Sequence, residues 1–409
     1  MNQTKKYTYA AIVPLIGGNH LGLMNTFDGQ LPEYVLSYAA FKGNDSHYIN
    51  YLRTTKNWNG DYITLDEQPN YVAEYADIFC CTAPCAGLSS LSRVSHSHSP
   101  VNEWMLKSAE YVLEHVKPKV MYGENAPRLA TAMGKPVVDK LRAIGEKNGY
   151  TFSIFKTKSI LHGLSQVRDR AFYFFWKCDS IPIFEYVNNY DTHERIEDTI
   201  MNAFVSDDDP MNVLTGKKIP SQDPFYRYAL EVIKGGQTHL EFMKDLKQSI
   251  NILNFIEDAG KTYAEVAVWM KEKGFDTAAA RCERIQKKLD DGFGIMKKNL
   301  HFPANYIGAF VGHYPSELTH PIEDRSLTVR ECLAIMKMPS DFQLINPTSN
   351  LNHMCQSVPV TTAEYPARMV QKYLNNELKT VKTKFLIQDN KNQTLSIPGF
   401  NVADLTSFI

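Results

Sequence analysis

Through its first 178 residues the chain alternates short apolar runs with longer amphipathic stretches, and that rhythm restricts the fold more than any other feature. Runs at Tyr9 to Ile16, Val35 to Phe41, Ala76 to Thr82, Pro118 to Tyr122, Tyr150 to Phe155 and Ala171 to Trp176 have the length and composition of buried strands. Between them, "VNEWMLKSAEYVLEHV" and "PRLATAMGKPVVDKLRAIGEKNG" repeat apolar residues at helical spacing, the second closing on Asn148-Gly149, a good helix stop. Strand alternating with helix predicts an α/β fold whose sheet is mainly parallel and covered on both faces. Ligands of such sheets bind beyond the carboxyl ends of the strands, so chemistry is to be sought in residues that follow a strand.

The rhythm stops near Cys178. Polar turns such as "VSDDDPMN" and "TGKKIPSQDP" then separate amphipathic stretches, "HLEFMKDLKQSINILNFIEDAG" and "TYAEVAVWMKEKG" among them, and a second, smaller domain is expected over 179–350. Its helix "TAAARCERIQKKLDDGFGIMKKN" carries Arg281, Arg284, Lys287, Lys288, Lys297 and Lys298. That pattern reads equally as a solvated face balanced by Asp290 and Asp291 or as a surface for phosphates. A helix after Pro359 should pack back on the first domain, so residues 1–178 are expected to be completed by about 356–380. Residues 381–409 are expected to form a polar C-terminal extension with a strand-like "KFLIQ".

A formal net charge of -1 excludes polyanion binding by bulk charge, so any nucleic-acid surface must be a local patch. Seven cysteines with an adjacent Cys80-Cys81 pair and no CxxC spacing argue against a disulfide scaffold or a metal site and suggest a reducing, cytoplasmic compartment. The apolar run from Ala10 to Ile16 is too short to span a bilayer, and no membrane association is expected.

Three short segments carry chemistry. In "CCTAPCAGLSSLS", Cys85 follows a strand and precedes a small, polar loop that could close over a substrate. In "MYGENAP", Glu124 and Asn125 fall at the same edge of the sheet, where a carboxyl short of compensating charge can act as an acid. In "HGLSQVRDRAFYFF", Gln166, Arg168 and Arg170 alternate, so extended backbone turns all three the same way; two buried arginines need an anion or hydrogen-bond acceptors.

These segments resemble, in order, motifs of the DNA cytosine-5 methyltransferase family. "APCAGLSS" looks like its Pro-Cys nucleophile loop, "GENAP" like its Glu-Asn motif and "QVRDRAF" like its Gln-x-Arg-x-Arg motif. "HPIEDRSLTVRECLAIMKMPSDF" is similar to its Arg-x-x-Thr-x-Arg-Glu segment, and "CQSVPV" to its Gly-Asn-Ser-Val-Pro cofactor motif. The N-terminal "VPLIGGNHLGL" keeps Gly17, Gly18 and Gly22 of a glycine-rich turn, with Val13 in place of an aromatic residue and Leu15 in place of a glycine; Gly43 stands where a ribose-binding glutamate is usual.

The resemblance implies a Rossmann-like class I methyltransferase domain with a smaller target-recognition domain, acting as a monomer on double-stranded DNA, in a bacterial or phage-infected cell. It implies S-adenosylmethionine as cofactor, bound by Gly17, Gly18, Asn19, His20, Leu21, Asp45, Asp61, Pro84, Ser357 and Val358. Cys85 would add to C6 of a flipped cytosine, Glu124 would donate to N3, and Arg168 would hold the ring carbonyl oxygen with support from Arg170. DNA contacts would fall to Ser89, Arg93 and Gln166. Arg325, Thr328, Arg330 and Glu331 are expected to form an arginine-carboxylate network. The altered glycine turn leaves a second reading: the same covalent attack on RNA or a modified cytosine, or with an altered cofactor. A third is a DNA-binding homologue without turnover.

Overall fold

The computed structural model describes residues 7–89, 96, 98–295, 297–312 and 314–397. It divides into two compact units, Met1–His193 with Met336–Ile345 and His353–Ile409, and Glu194–Ile335 with Asn346–Asn352.

The first unit is built on a nine-stranded sheet. Its strands are β1 (Tyr9–Ile12), β2 (Tyr34–Ser37), β3 (Asp61–Thr64), β4 (Ile78–Cys81), β5 (Val120–Asn125), β6 (Thr151–Lys158), β7 (Asp169–Trp176), β8 (Phe385–Asp389) and β9 (Thr394–Ser396). They lie in the order β9-β8-β6-β7-β5-β4-β1-β2-β3. All run in one direction except β7, which is antiparallel to β5 and β6, and β9, antiparallel to β8. The sheet is covered by α1 (Gly18–Thr26), α2 (Lys42–Thr55), α3 (Glu103–Tyr111), α4 (Lys135–Lys147) and α5 (Val360–Leu374).

Alternate residues of the central strands enter two separate cores. Ala10, Ile12, Phe79, Cys81, Met121, Tyr173 and Phe175 belong to one, and Tyr9, Ile78, Cys80, Tyr122, Phe172, Phe174 and Trp176 to the other. A strand buried on both faces has no polar alternation to keep, which is why these strands are legible as continuous apolar runs.

The boundaries differ from expectation where side chains override apolar pattern. β1 stops at Ile12 because Val13 and Leu15 take positive φ values of 50° and 53°, bending the chain toward the Gly17 turn. β2 stops at Ser37, and Ala39–Phe41 form a 3-10 turn instead of extending the strand. β5 runs on to Asn125, so Glu124 and Asn125 end the strand itself rather than opening the loop after it. Residues 381–409 are not an appendage throughout: β8 pairs in parallel with β6, and β9 closes the sheet edge.

The second unit has its own core of Phe225, Tyr226, Phe242, Leu253, Val266, Met270, Cys282 and Phe302, among others. Arg330 chelates Asp209 with contacts of 2.6 and 3.0 Å. Arg325 bridges Glu331 and Glu323, and Glu331 also accepts from the Thr328 N–H at 2.7 Å. No helix among the described residues is long and apolar enough to cross a membrane.

One buried histidine of the first unit makes a pH prediction. His47 Nδ1 accepts from the Ile345 N–H at 3.0 Å, so its single proton sits on Nε2 and points to His353 Nδ1 at 2.8 Å. A second proton would meet the Ile345 N–H head-on; burial, with the neighbouring His353, holds the His47 pKa down at about 4. A histidine depressed in the folded state contributes stability that is present above its unfolded pKa of about 6.5 and is lost as pH falls toward 4. The thermal midpoint should therefore decline across that window, and His47→Gln should remove about 1–2 kcal/mol of the decline, measured by unfolding at pH 4.5 and 7.

Candidate active site

The carboxyl ends of β4 and β5 and the start of β7 meet at one place. Cys85 is the fourth residue after β4, half-buried, with its carbonyl accepting from the Leu88 N–H at 3.0 Å. A side chain at Gly87 would bring its Cβ to 2.2 Å from Asn102 Oδ1, so any larger residue in this turn must displace the Asn102 amide. Asn125, at the end of β5, donates from Nδ2 to the Ala83 carbonyl at 3.4 Å and accepts from the Ala126 N–H at 2.9 Å, tying the strand end to the segment that carries Cys85.

Glu124 is 1% exposed. Its Oε2 lies 3.0 Å from Arg170 Nε, a charge contact whose angle falls outside hydrogen-bond geometry. Burial pushes the Glu124 carboxyl above the usual carboxylate range, against the pull of the Arg170 and then the Arg168 guanidinium. Arg168 is equally buried and donates from Nη2 to the Cys355 carbonyl at 2.6 Å. Desolvation and the Arg170 charge press its pKa down, opposed by Glu124, Cys85 and Cys355. Arg168 thus lies within electrostatic reach of Cys85, Glu124 and Arg170. Two guanidiniums against one carboxylate leave a buried surplus of positive charge, which favours an electron-rich, oxygen-bearing guest. Gln166 is buried in the same alternating register and lies 3.6 Å by Nε2 from Met336 Sδ.

A second group surrounds the turn after β1. Gly17 has φ +90°, and a Cβ there would lie 2.3 Å from the Tyr48 ring. Gly18 donates its N–H to Ser357 Oγ at 3.1 Å, and a Cβ on it would meet the Val358 carbonyl at 2.1 Å. Gly17, Gly18, Ser357 and Val358 are therefore brought together. Asn19 donates to the Cys81 carbonyl at 3.3 Å, His20 Nε2 lies 3.2 Å from the Cys80 carbonyl, and Leu21 is fully buried; these three hold α1 on the sheet. Asp45 is buried beneath the same turn, accepting from the Leu15 N–H at 2.9 Å, from Tyr62 at 2.9 Å and from Ser37. Burial raises its pKa to about 7 despite those donors.

Other expected residues fall elsewhere. Asp61 opens β3 and is exposed, at the opposite edge of the sheet from Cys85, because β3 runs parallel to β4. Two acids lie beyond the carboxyl end of β3: Asp66, which accepts from the Ala39 N–H at 2.9 Å, and Glu67, which accepts from Thr64 and Lys42. Pro84 and Ser89 are half-buried on either side of Cys85, and Arg93 lies outside the described residues. Sequence reasoning also passed over an aromatic rim at the carboxyl end of β2, where Tyr38 and Phe41 pack on Trp104 with centroids 4.8 and 5.1 Å apart. Reading Val35 to Phe41 as one strand hid it.

Gly18→Ala should lower stability by about 1–3 kcal/mol, since the new methyl meets backbone rather than a movable side chain. Denaturant unfolding of the variant checks this.

A family model described as C-5 cytosine-specific DNA methylase matches residues 12–372. Among solved structures, the chain is similar to a protein described as a DNA modification methyltransferase encoded within an E. coli prophage. The identity is 14%, the TM-score 0.53, and the match covers 90% of this chain and 100% of that one. It is also similar to the S. pombe Dnmt2 methyltransferase at 12% identity and TM-score 0.48, covering 90% and 100%, and to the Entamoeba histolytica methyltransferase EhMeth at 14% and 0.48, covering 91% and 99%. No curated protein matches it significantly. The first of these likenesses carries the α/β fold alone; the family match spans β2 to β7, the Cys85 loop and most of α5, and the chain belongs to the C-5 cytosine-specific DNA methylase family.

Proposed function

We propose that the protein is a DNA cytosine-5 methyltransferase that attacks C6 of a flipped-out cytosine with Cys85. The observation that carries this reading is the convergence of Cys85 with a buried carboxyl and two buried guanidiniums.

Cytosine C5 is too poor a nucleophile to take a methyl group unaided. Addition of the Cys85 thiolate to C6 forms a C–S bond and pushes an electron pair toward C5 and N3. Glu124, whose pKa is pushed up by burial, donates to N3 in its protonated form and neutralises the charge as it develops. Arg168 orients the ring through its carbonyl oxygen, and Arg170 fixes Glu124 while adding positive potential. After C5 has taken the methyl group, loss of the C5 proton to solvent re-forms the double bond, breaks the C6–S bond to expel the Cys85 thiolate, returns the N3 proton to Glu124 and releases 5-methylcytosine. The ring must leave the duplex stack to reach this site, at a cost of a few kcal/mol.

The donor we infer is S-adenosylmethionine, which when bound supplies an electrophilic methyl group. The residues fit such a group. Asn19 Oδ1 and Thr82 Oγ1 are buried without a hydrogen-bond partner among the described residues, beside the carboxyl ends of β1 and β4. Gly17, Gly18, Ser357 and Val358 would hold the donor at the turn, Tyr38, Phe41 and Trp104 offer apolar rings to its base, and Asp66 offers a carboxylate. Asp45 and Asp61 are assigned no direct contact, the first because its oxygens are engaged, the second because of its position. That shift of the acidic partner also favours a second reading, the same attack on cytosine with an altered donor.

The test is transfer of label from S-adenosylmethionine to unmodified duplex DNA, with RNA of the same sequence alongside and products mapped at base resolution. Label on C5 of cytosine in the duplex is expected. Label on RNA alone, or none despite bound S-adenosylmethionine, would overturn the assignment.

A further inference from the structure

Within the second unit, three helices, Ile252–Asp258, Tyr263–Glu272 and Asp276–Asp290, lie between two short strands, Ile250–Asn251 and His301–Phe302, which pair antiparallel. Each helix buries one stripe: Ile252, Leu253 and Ile256; Tyr263, Val266, Ala267 and Met270; Ala279, Cys282 and Ile285. Thr262 and Glu265 cap the middle helix reciprocally. Lys273, Gly274 and Phe275 join it to the third. Gly274 has φ +79°, and the Phe275 N–H returns to the Met270 carbonyl at 2.7 Å. Two packed helices joined by a three-residue turn containing glycine are the elements of a helix-turn-helix.

The outer face of the third helix is unusual in its charge. Arg284, Lys287 and Lys288 are exposed, and none has a carboxylate at ion-pair distance among the described residues. Several other cations of the same unit are paired, Lys271 with Glu283 at 2.6 Å, Arg227 with Glu231 at 2.8 Å and Lys273 with Glu231 at 3.0 Å among them. Glu283, on the third helix itself, is thus drawn back to the middle helix, and Asp290 is taken by Gln286 at 2.9 Å. Asp276 and Asp291 stand at the two ends. Three cations at i, i+3 and i+4 repel one another in the free protein, a cost that a polyanion would remove. Toward the N-terminus of the helix the same face carries Thr277 and Ala280, small enough for the backbone to approach a base edge closely, beside Arg281, which is held by the Lys298 carbonyl at 2.8 Å.

We propose that residues 250–302 form a helix-turn-helix whose third helix enters the major groove of duplex DNA, Arg284, Lys287 and Lys288 meeting phosphates and base edges while Thr277 and Ala280 permit close approach. This deepens the functional reading and rests on duplex DNA being the substrate. The module is a reading element, distinct from the residues that attack the base. Duplex RNA is excluded by the same geometry, because its major groove is too deep and narrow to admit a helix.

The full chain is the protein to test, by anisotropy on a short DNA duplex across a salt series. Arg284→Ala/Lys287→Ala/Lys288→Ala should weaken binding about 10- to 100-fold near 0.1 M salt and flatten the log-log salt slope by roughly one for each phosphate no longer neutralised. Thr277→Trp should weaken binding without changing the slope, and Lys244→Ala/Lys247→Ala should do neither. Thermal midpoints equal to wild type confirm intact folding. Unchanged affinity in the triple variant, an equal loss in the control, or preference for duplex RNA would overturn the inference. Turnover separates the two readings: a wild type that methylates cytosine while the triple variant binds normally sinks the groove helix alone, whereas charge-dependent binding with no methyl transfer sinks the chemistry alone.

Discussion

Replacing Cys85 with alanine should abolish methyl transfer, by at least about a thousand-fold, while leaving the protein folded. The chemical part follows from cytosine itself: without a bond at C6 there is no electron pair at C5 to accept the methyl group, and no other described thiol is placed to form one. Cys80 and Cys81 are fully buried within β4, and burial pushes both thiols up. Cys355 is partly buried, its carbonyl is held by Arg168, and its thiol too is pushed up, to about 11. The structural part follows from size. Cys85 is half-buried at the margin of a core, so losing one sulfur should cost under about 1.5 kcal/mol. Steady-state transfer and a thermal melt on the same preparation check both halves. A variant retaining a tenth of wild-type activity would be incompatible with nucleophilic attack by this residue.

Glu124→Gln carries the second large effect, and it has two separable parts. As an acid at N3, Glu124 should contribute about 10²- to 10⁴-fold in rate, and glutamine cannot deliver a proton. When ionised, Glu124 also offsets the burial of the Arg170 guanidinium it touches, and removing one partner of a buried pair costs about 3–5 kcal/mol. The parts are distinguished by pH. Burial raises the Glu124 pKa, so in the wild type the rate should fall as pH rises through that value, when the carboxyl loses its proton. The variant should show a lower rate without that limb. If the wild-type rate has no such limb and the variant loses only stability, Glu124 braces the arginines and does not donate.

How far the sequence could be read depended on where each element's partners come from. β4, β5 and β7 are flanked on both faces by core, and their apolar runs marked them without ambiguity. β3 escaped because its first half, Asp61 and Tyr62, is not buried, so no continuous apolar run marks it; Asp61, given the acidic role from the sequence, opens the strand, whereas Asp66 and Glu67 lie beyond its carboxyl end. "KFLIQ" was legible as strand-like, yet its neighbour β6 lies more than two hundred residues earlier, and no local pattern names a parallel partner so distant. The meeting of Glu124 with Arg170 is of the same kind: each residue was visible, but only pairing of β5 with β7 brings the carboxylate to the guanidinium. In the second unit, "HLEFMKDLKQSINILNFIEDAG" read as one amphipathic stretch; the chain instead breaks it into His239–Asp245, the strand Ile250–Asn251 and Ile252–Asp258, because the strand is claimed by His301–Phe302.

The covalent bond between Cys85 and the base is the centre of the account, and trapping it is the most direct measurement. A DNA duplex carrying 5-fluorocytosine in place of cytosine cannot lose a proton from C5, so turnover should stall with the ring attached to the enzyme. Incubated with S-adenosylmethionine, the wild-type protein is predicted to form a denaturation-resistant complex whose modified peptide contains Cys85, and Cys85→Ala to form none. A wild-type enzyme that methylates ordinary duplex DNA yet leaves no adduct on the fluorinated strand, or an adduct mapped to another residue, would contradict it.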